Sequence, residues 1–120
     1  MTYQEYMIYS LSDLLKKNET LKYPIYGILK QKRRNLRGFW GLTDNFLLNS
    51  LLDGTSNRIP LDIKSVKVKK CLFPLQFKIR IYFVDGSSGE LRVSKKVHGM
   101  THQETNLSEF IKHIQNVQKE

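Results

Sequence analysis

Cysteine is nearly absent: Cys71 stands alone, so no intramolecular disulfide can form and a secreted, disulfide-stapled scaffold is excluded. A reducing compartment is the matching expectation, with Cys71 an inert, buried thiol beside Leu72 and Phe73. Long hydrophobic runs are also missing. Phe46 to Leu52 is broken by Asn49 and Ser50 and falls far short of the ~20 residues that span a bilayer. Between Met1 and Ser10, Glu5 and three tyrosines interrupt any apolar block, so no export signal is expected. Carboxylates are scarce: 11 against 20 lysines and arginines leave a formal charge of +9 and a pI near 9.7. Such a balance usually goes with an anionic partner.

What is present is enough for one folded domain. The 120 residues are 40% hydrophobic and 26% charged, which argues against a disordered chain. The excess charge is concentrated. Residues 1–29 carry three cations and three anions, residues 30–100 fifteen and five, and residues 101–120 two and three. All of the surplus, +10, lies in the middle segment, which suggests one cationic surface rather than a generally basic coat. Lysines scattered merely for solubility are the alternative.

The apolar residues Met7, Ile8, Leu11, Leu14 and Leu15 recur at helical spacing and predict a short leading helix over Met7 to Lys17, ending near Asn18. Pro24 and Gly27 forbid its continuation, and Tyr23 to Lys30 reads as a first strand. A polar loop, Gln31 to Asn35, precedes a second strand through Phe39, Trp40 and Leu42. Thr43 to Asn45 is a turn in which Asp44 or Asn45 is expected to take the left-handed conformation. Phe46 to Leu52 and Arg58 to Leu61 form the next hairpin, with Pro60 placing its return at an edge or a strand start. Ile63, Val66 and Val68 alternate imperfectly with lysines, and Phe77, Ile79, Ile81 and Phe83 alternate strictly with Lys78, Arg80 and Tyr82. After a turn at Asp85 to Gly89, Leu91 and Val93 continue the inward face. A closing helix follows, with Thr101 and Glu104 at capping-box spacing and a stripe of Leu107, Phe110, Ile111, Ile114 and Val117. Glu109, Lys112, His113, Gln115, Asn116 and Lys119 decorate its other face.

Motifs of catalysis are lacking, so no enzyme, cofactor or metal is expected. Gly86 to Gly89 has no lysine and no following helix to make a phosphate cradle. His98 and His102 are four apart but separated by Gly99, with no further ligand pair. No nucleophile elbow accompanies the serines, and the acids of the middle segment fall mainly at turns.

Short antiparallel strands followed by one amphipathic helix predict a mainly β with α (α+β) fold. The segments Tyr23 to Gly27, Gly38 to Asp44, Ile59 to Val66 and Gln103 to Ile111 resemble those of bacterial pleckstrin-homology-like (PH-like) domains of unassigned role. The resemblance covers residues 20–118 and implies an antiparallel β-barrel or split sandwich of about seven strands, capped by the C-terminal helix. Residues 1–19 would form a helical extension, and residues 20–120 the PH-like domain. The resemblance further implies that the first hairpin loop, with Lys30, Lys32, Arg33, Arg34 and Arg37, supplies cations to an anionic ligand. Unlike many such domains, the chain has no tryptophan in its last helix, where Phe110 is the nearest aromatic residue.

Strand pairing predicts a second cationic set. In a meander Lys67, Lys69, Lys78, Arg80 and Arg92 share one outer face, relieved only by Glu90. Like charges across strands repel by about 0.2–1 kcal/mol a pair, so an anionic partner explains them, as does protection of a sheet edge. The expected partner is an anionic lipid headgroup or an acidic protein surface, at a cytoplasmic location peripheral to the inner membrane face. Assembly as a homo-oligomer or subunit, through a sheet edge or the leading helix, is the alternative. Single-stranded nucleic acid is a third, requiring Phe39, Trp40 or Tyr82 to be exposed among the cations.

Overall fold

The computed structural model of the protein describes residues 1–31, 33–71 and 75–118. Helix α1 (Tyr3–Ser12) precedes seven strands: β1 (Lys22–Lys30), β2 (Asn35–Leu42), β3 (Phe46–Leu51), β4 (Ser56–Pro60), β5 (Ile63–Cys71), β6 (Gln76–Phe83) and β7 (Ser88–Ser94). Helix α2 (Gln103–Asn116) ends the fold. The strands form one sheet in the order β4-β3-β2-β1-β7-β6-β5, every neighbouring pair antiparallel. Among the described residues no helix is long and apolar enough to cross a membrane.

The connection between β4 and β5 forces the sheet to curl. These strands lie at opposite edges, which in a flat sheet would be about 29 Å apart at about 4.8 Å per strand. Yet only Leu61 and Asp62 join them, a link that reaches at most about 11 Å. The sheet therefore folds back so that its edges meet at a corner. There Leu61 N–H donates to Asn45 O (2.9 Å) and Val84 N–H to Asp62 O (2.8 Å). The two edges do not pair as strands, so the sheet is not closed into a barrel. Pro60, at the end of edge strand β4, has no N–H with which to continue a ladder.

The curl creates an inner face and an outer one, each with its own core. Inside, Ile25, Trp40, Leu42, Ile63, Ile79, Leu91 and Val93 meet Leu107, Phe110 and Ile114 of α2. Outside, Phe39 and Leu48 are covered by Met7 and Leu11 of α1. Because β2 is covered on both sides, consecutive residues Phe39 and Trp40 are both buried. Neither ring is therefore available for the stacking that the nucleic-acid alternative requires.

Helix boundaries also differ from the periodicity. Helix α1 begins four residues earlier than the apolar spacing suggests, because Thr2 and Glu5 form a true capping box. It ends at Ser12, and Leu14 and Leu15 pack on the outer core from a turn rather than a helix. Ile8 is exposed. At α2 the N-cap is His102, without a side-chain cap bond, so Thr101 and Glu104 do not form the expected box. Gln103 serves the sheet instead. On the N-terminal side of Ile28, β1 and β7 part, and the buried Gln103 carboxamide fills the gap. It accepts from Tyr26 N–H (3.0 Å) and donates to Tyr26 O (2.8 Å) and Ser94 O (3.1 Å). At the first turn neither Asp44 nor Asn45 has a positive φ. The Thr43 hydroxyl accepts from both Asn45 N–H and Phe46 N–H, which lets an ordinary backbone turn.

Candidate functional site

Antiparallel pairing places facing residues on the same side of a sheet, so the register builds the cationic face directly. One row crosses five strands as Arg37, Ile28, Arg92, Lys78 and Lys69. The neighbouring row reads Asn35, Lys30, Glu90, Arg80 and Lys67. Each row spans about 19 Å, and the two lie about 7 Å apart along the strands. Seven cations and one carboxylate thus share the outer face beside α1.

At the centre, Glu90 is clamped by Arg80 (Nη2 to Oε1, 2.8 Å) and Arg92 (Nε to Oε2, 3.1 Å). Burial acts to raise the Glu90 carboxyl, but hydrogen bonds from the two guanidiniums outweigh it and hold the group below its ordinary range. Two arginines are therefore fixed in place by one acid, leaving net positive charge around them. Lys30, Lys78, Arg80 and Arg92 line an open concavity of about 700 Å³ together with Ser88 and Gly89. Lys30, Arg37, Lys67, Lys69 and Lys78 make no ion pair among the described residues. Tyr82 joins the same face half-buried, with the Lys67 ammonium 5.6 Å from its ring centre.

The first hairpin loop is not the cluster that the sequence suggested. Its closing pair is Lys30 with Asn35, so Lys30 and Arg37 belong to strands and face the sheet's cations. Arg33 is exposed in the loop, and Arg34 turns to Asp53, 3.7 Å away, in the β3–β4 turn. Lys32 lies outside the described residues, as do Leu72 and Phe73 beside the half-buried Cys71. Arg37 and Phe39, two apart, share one side of an extended strand, so the place of Arg37 was legible, but that of Lys30 needed the hairpin register.

Other polar groups were displaced as well. His113, expected on the solvent side of α2, is half-buried near Tyr23, and its Nε2 has no hydrogen-bond partner among the described residues. Burial, assisted by Lys22, lowers its pKa, and Asp44 opposes them weakly. His98 and His102 do not share a helix, since Gly99 between them has a φ of +85° and α2 starts after His102.

No family model matches the chain, and no curated protein matches its sequence. Solved structures do match its shape. The C-terminal domain of an unknown protein from Leishmania infantum is 15% identical with a TM-score of 0.65, covering 92% of this chain and 95% of that one. The hSac2 domain from the human phosphoinositide phosphatase Sac2 is 11% identical with a TM-score of 0.54, covering 94% and 79%. At these identities the likeness is one of fold, in keeping with a PH-like or β-sandwich plan.

Proposed function

We propose that the protein is a non-enzymatic, PH-like binding module that docks reversibly on an acidic surface through the outer face of β2, β1, β7, β6 and β5. The observation that carries this reading is the pair of charge rows meeting at Glu90, with five cations that have no acid of their own among the described residues. Cations held side by side repel, and a polyanion laid across them removes the repulsion and gains charge-assisted hydrogen bonds. Fixing Arg80 and Arg92 through Glu90 lowers the ordering cost of such contacts. Each lysine or arginine near an anionic surface contributes about 1 kcal/mol, so several together give loose, salt-sensitive attachment.

The bacterial type of this plan, and a cytoplasmic position peripheral to the inner membrane face, belong to the same proposal. They rest on the Gly38 to Asp44 and Ile59 to Val66 segments and on the lone cysteine. The neighbour's origin in a phosphoinositide phosphatase is a fold-level hint and supplies no ligand by itself. Single-stranded nucleic acid is less favoured, because stacking needs exposed rings and Phe39 and Trp40 are buried on opposite sides of β2.

The test is binding of the whole chain to immobilised polyglutamate and to anionic vesicles across a salt series. Replacing Lys30, Lys69 and Lys78 together by alanine should cost about 3 kcal/mol, or roughly a hundredfold in affinity. Replacing Lys16, Lys17 and Lys112, which removes the same charge elsewhere, should cost far less. Equal losses in the two triple variants would reduce the face to a source of net charge and refute the reading.

A further inference from the structure

The outer face of the sheet has two unlike halves. Over β7, β6 and β5 it is open and cationic, whereas over β1, β2 and β3 it carries α1. A helix that lies between a protein and water normally shows charged residues to the water. Helix α1 does not. Its one charged residue is Glu5, which is occupied in the capping box with Thr2. Its water side instead bears Tyr3, Tyr6 and Tyr9, which are 40%, 48% and 65% exposed. Spaced three apart, they run along one flank of the helix. The rings of Tyr3 and Tyr6 meet Phe39 edge-on, with centroids 5.6 and 5.7 Å away. Phe39 lies two residues from Arg37 on the same side of β2, so the tyrosine flank adjoins the end of a charge row.

We infer that α1 and the cationic rows form one docking surface whose occupant is an anionic lipid bilayer, with Tyr6 and Tyr9 lying in the headgroup layer. The inference rests on the acidic-surface reading above and goes beyond it by choosing the bilayer and by giving α1 a part in binding. Tyrosine suits that depth because its ring is apolar while its hydroxyl stays hydrated. A short helix lying flat, with cations beside its apolar flank, is the geometry by which peripheral proteins rest on such membranes. Charge complementarity selects this occupant over a second copy of the chain. Two copies meeting through this surface would place seven cations against seven.

The experiment follows the whole chain carrying Tyr9→Trp, with the unsubstituted chain as the blank for the buried Trp40. Vesicles are phosphatidylcholine alone, or phosphatidylcholine mixed with phosphatidylglycerol, each with and without brominated acyl chains. The expected result is sedimentation with the anionic vesicles only, a blue shift of the emission that the Tyr9→Trp substitution adds, and its quenching by bromine. In a second variant, Tyr6→Ser with Tyr9→Ser, affinity for anionic vesicles should fall about tenfold while binding to polyglutamate is unchanged. Sedimentation without a shift, with the serine variant binding as tightly as the unsubstituted chain, overturns the inference and leaves the acidic-surface reading standing. No sedimentation, but retention on polyglutamate, likewise overturns only the inference. Loss of binding to both removes the two together.

Discussion

Replacing Gln103 by alanine tests whether one carboxamide holds the sheet together where β1 and β7 part. The side chain is 3% exposed, and its removal orphans Tyr26 N–H, Tyr26 O and Ser94 O at once. A buried backbone group without a partner costs about 1–3 kcal/mol, and water entering the vacated space recovers part of the sum. The net expectation is a loss of about 2–4 kcal/mol. At about 2.1 cal/mol/K per residue, 120 residues give an unfolding entropy near 0.25 kcal/mol/K, so Tm should drop by about 8–16 °C. Urea unfolding, with the m-value watched for constancy, is the assay. Gln103→Glu supplies an internal check. It keeps an acceptor for Tyr26 N–H but faces two carbonyls with a carboxylate, so its folded pKa should rise above the unfolded value. Its deficit should then be larger at pH 7 than at pH 4, since stability returns as the carboxyl is protonated. A loss below about 0.5 kcal/mol for the alanine variant, at constant m, would refute the reasoning.

Gly38→Ala should destabilise by about 1–3 kcal/mol in the same assay, because its Cβ would stand 2.7 Å from Leu51 Cα and Ser50 O, which are backbone atoms that cannot swing aside. Stability should also fall as the pH drops below about 6.5, where the unfolded chain protonates His113 before the folded one does, and continue to fall until the lowered folded pKa is reached. His113→Gln should flatten that slope, as read from urea midpoints across pH. A separate acid-side loss should come from Glu19, whose hydrogen bonds from Arg58, together with Lys16 N–H, bring its pKa down from 4.5 to about 2. Its contribution is present above pH 4.5 and drains as the pH falls toward 2, so Glu19→Gln should lessen the pH dependence in that window, leaving the part owed to Asp44, Asp53, Asp85 and Glu90, whose pKa values are also lowered. Arg58 also binds Leu14 O and lies over the Phe46 ring at 4.3 Å, so Arg58→Ala should loosen the segment after α1, measurable as faster amide exchange there.

Much of this architecture was legible in the order of residues. Strict alternation from Phe77 to Phe83 marks a half-buried strand, since side chains on a pleated strand alternate between faces, and β6 occupies Gln76–Phe83. The stripe from Leu107 to Ile114 marks an amphipathic helix in the same way, and α2 buries Leu107, Phe110 and Ile114. Both patterns are local and survive any arrangement of the rest. The cluster of cations in the middle segment was equally visible, as was the grouping of Lys67, Lys69, Lys78, Arg80 and Arg92 once a meander was assumed.

Tertiary structure alone decided the remainder, because each case depends on partners far away in sequence. Phe39 and Trp40 are both buried only because α1 covers the outer side of β2, which a run of two aromatics cannot reveal. Gln103 is polar at the start of a helix, and its role exists only where β1 and β7 separate in space. Lys30 and Arg37 left the loop for the sheet face through the register of one hairpin, and a slip of one residue would have turned them inward. Composition settles how much charge the chain carries and periodicity settles which elements it forms. Where that charge converges is set by long-range pairing, since only the pairing brings residues 30, 78 and 92 onto one surface.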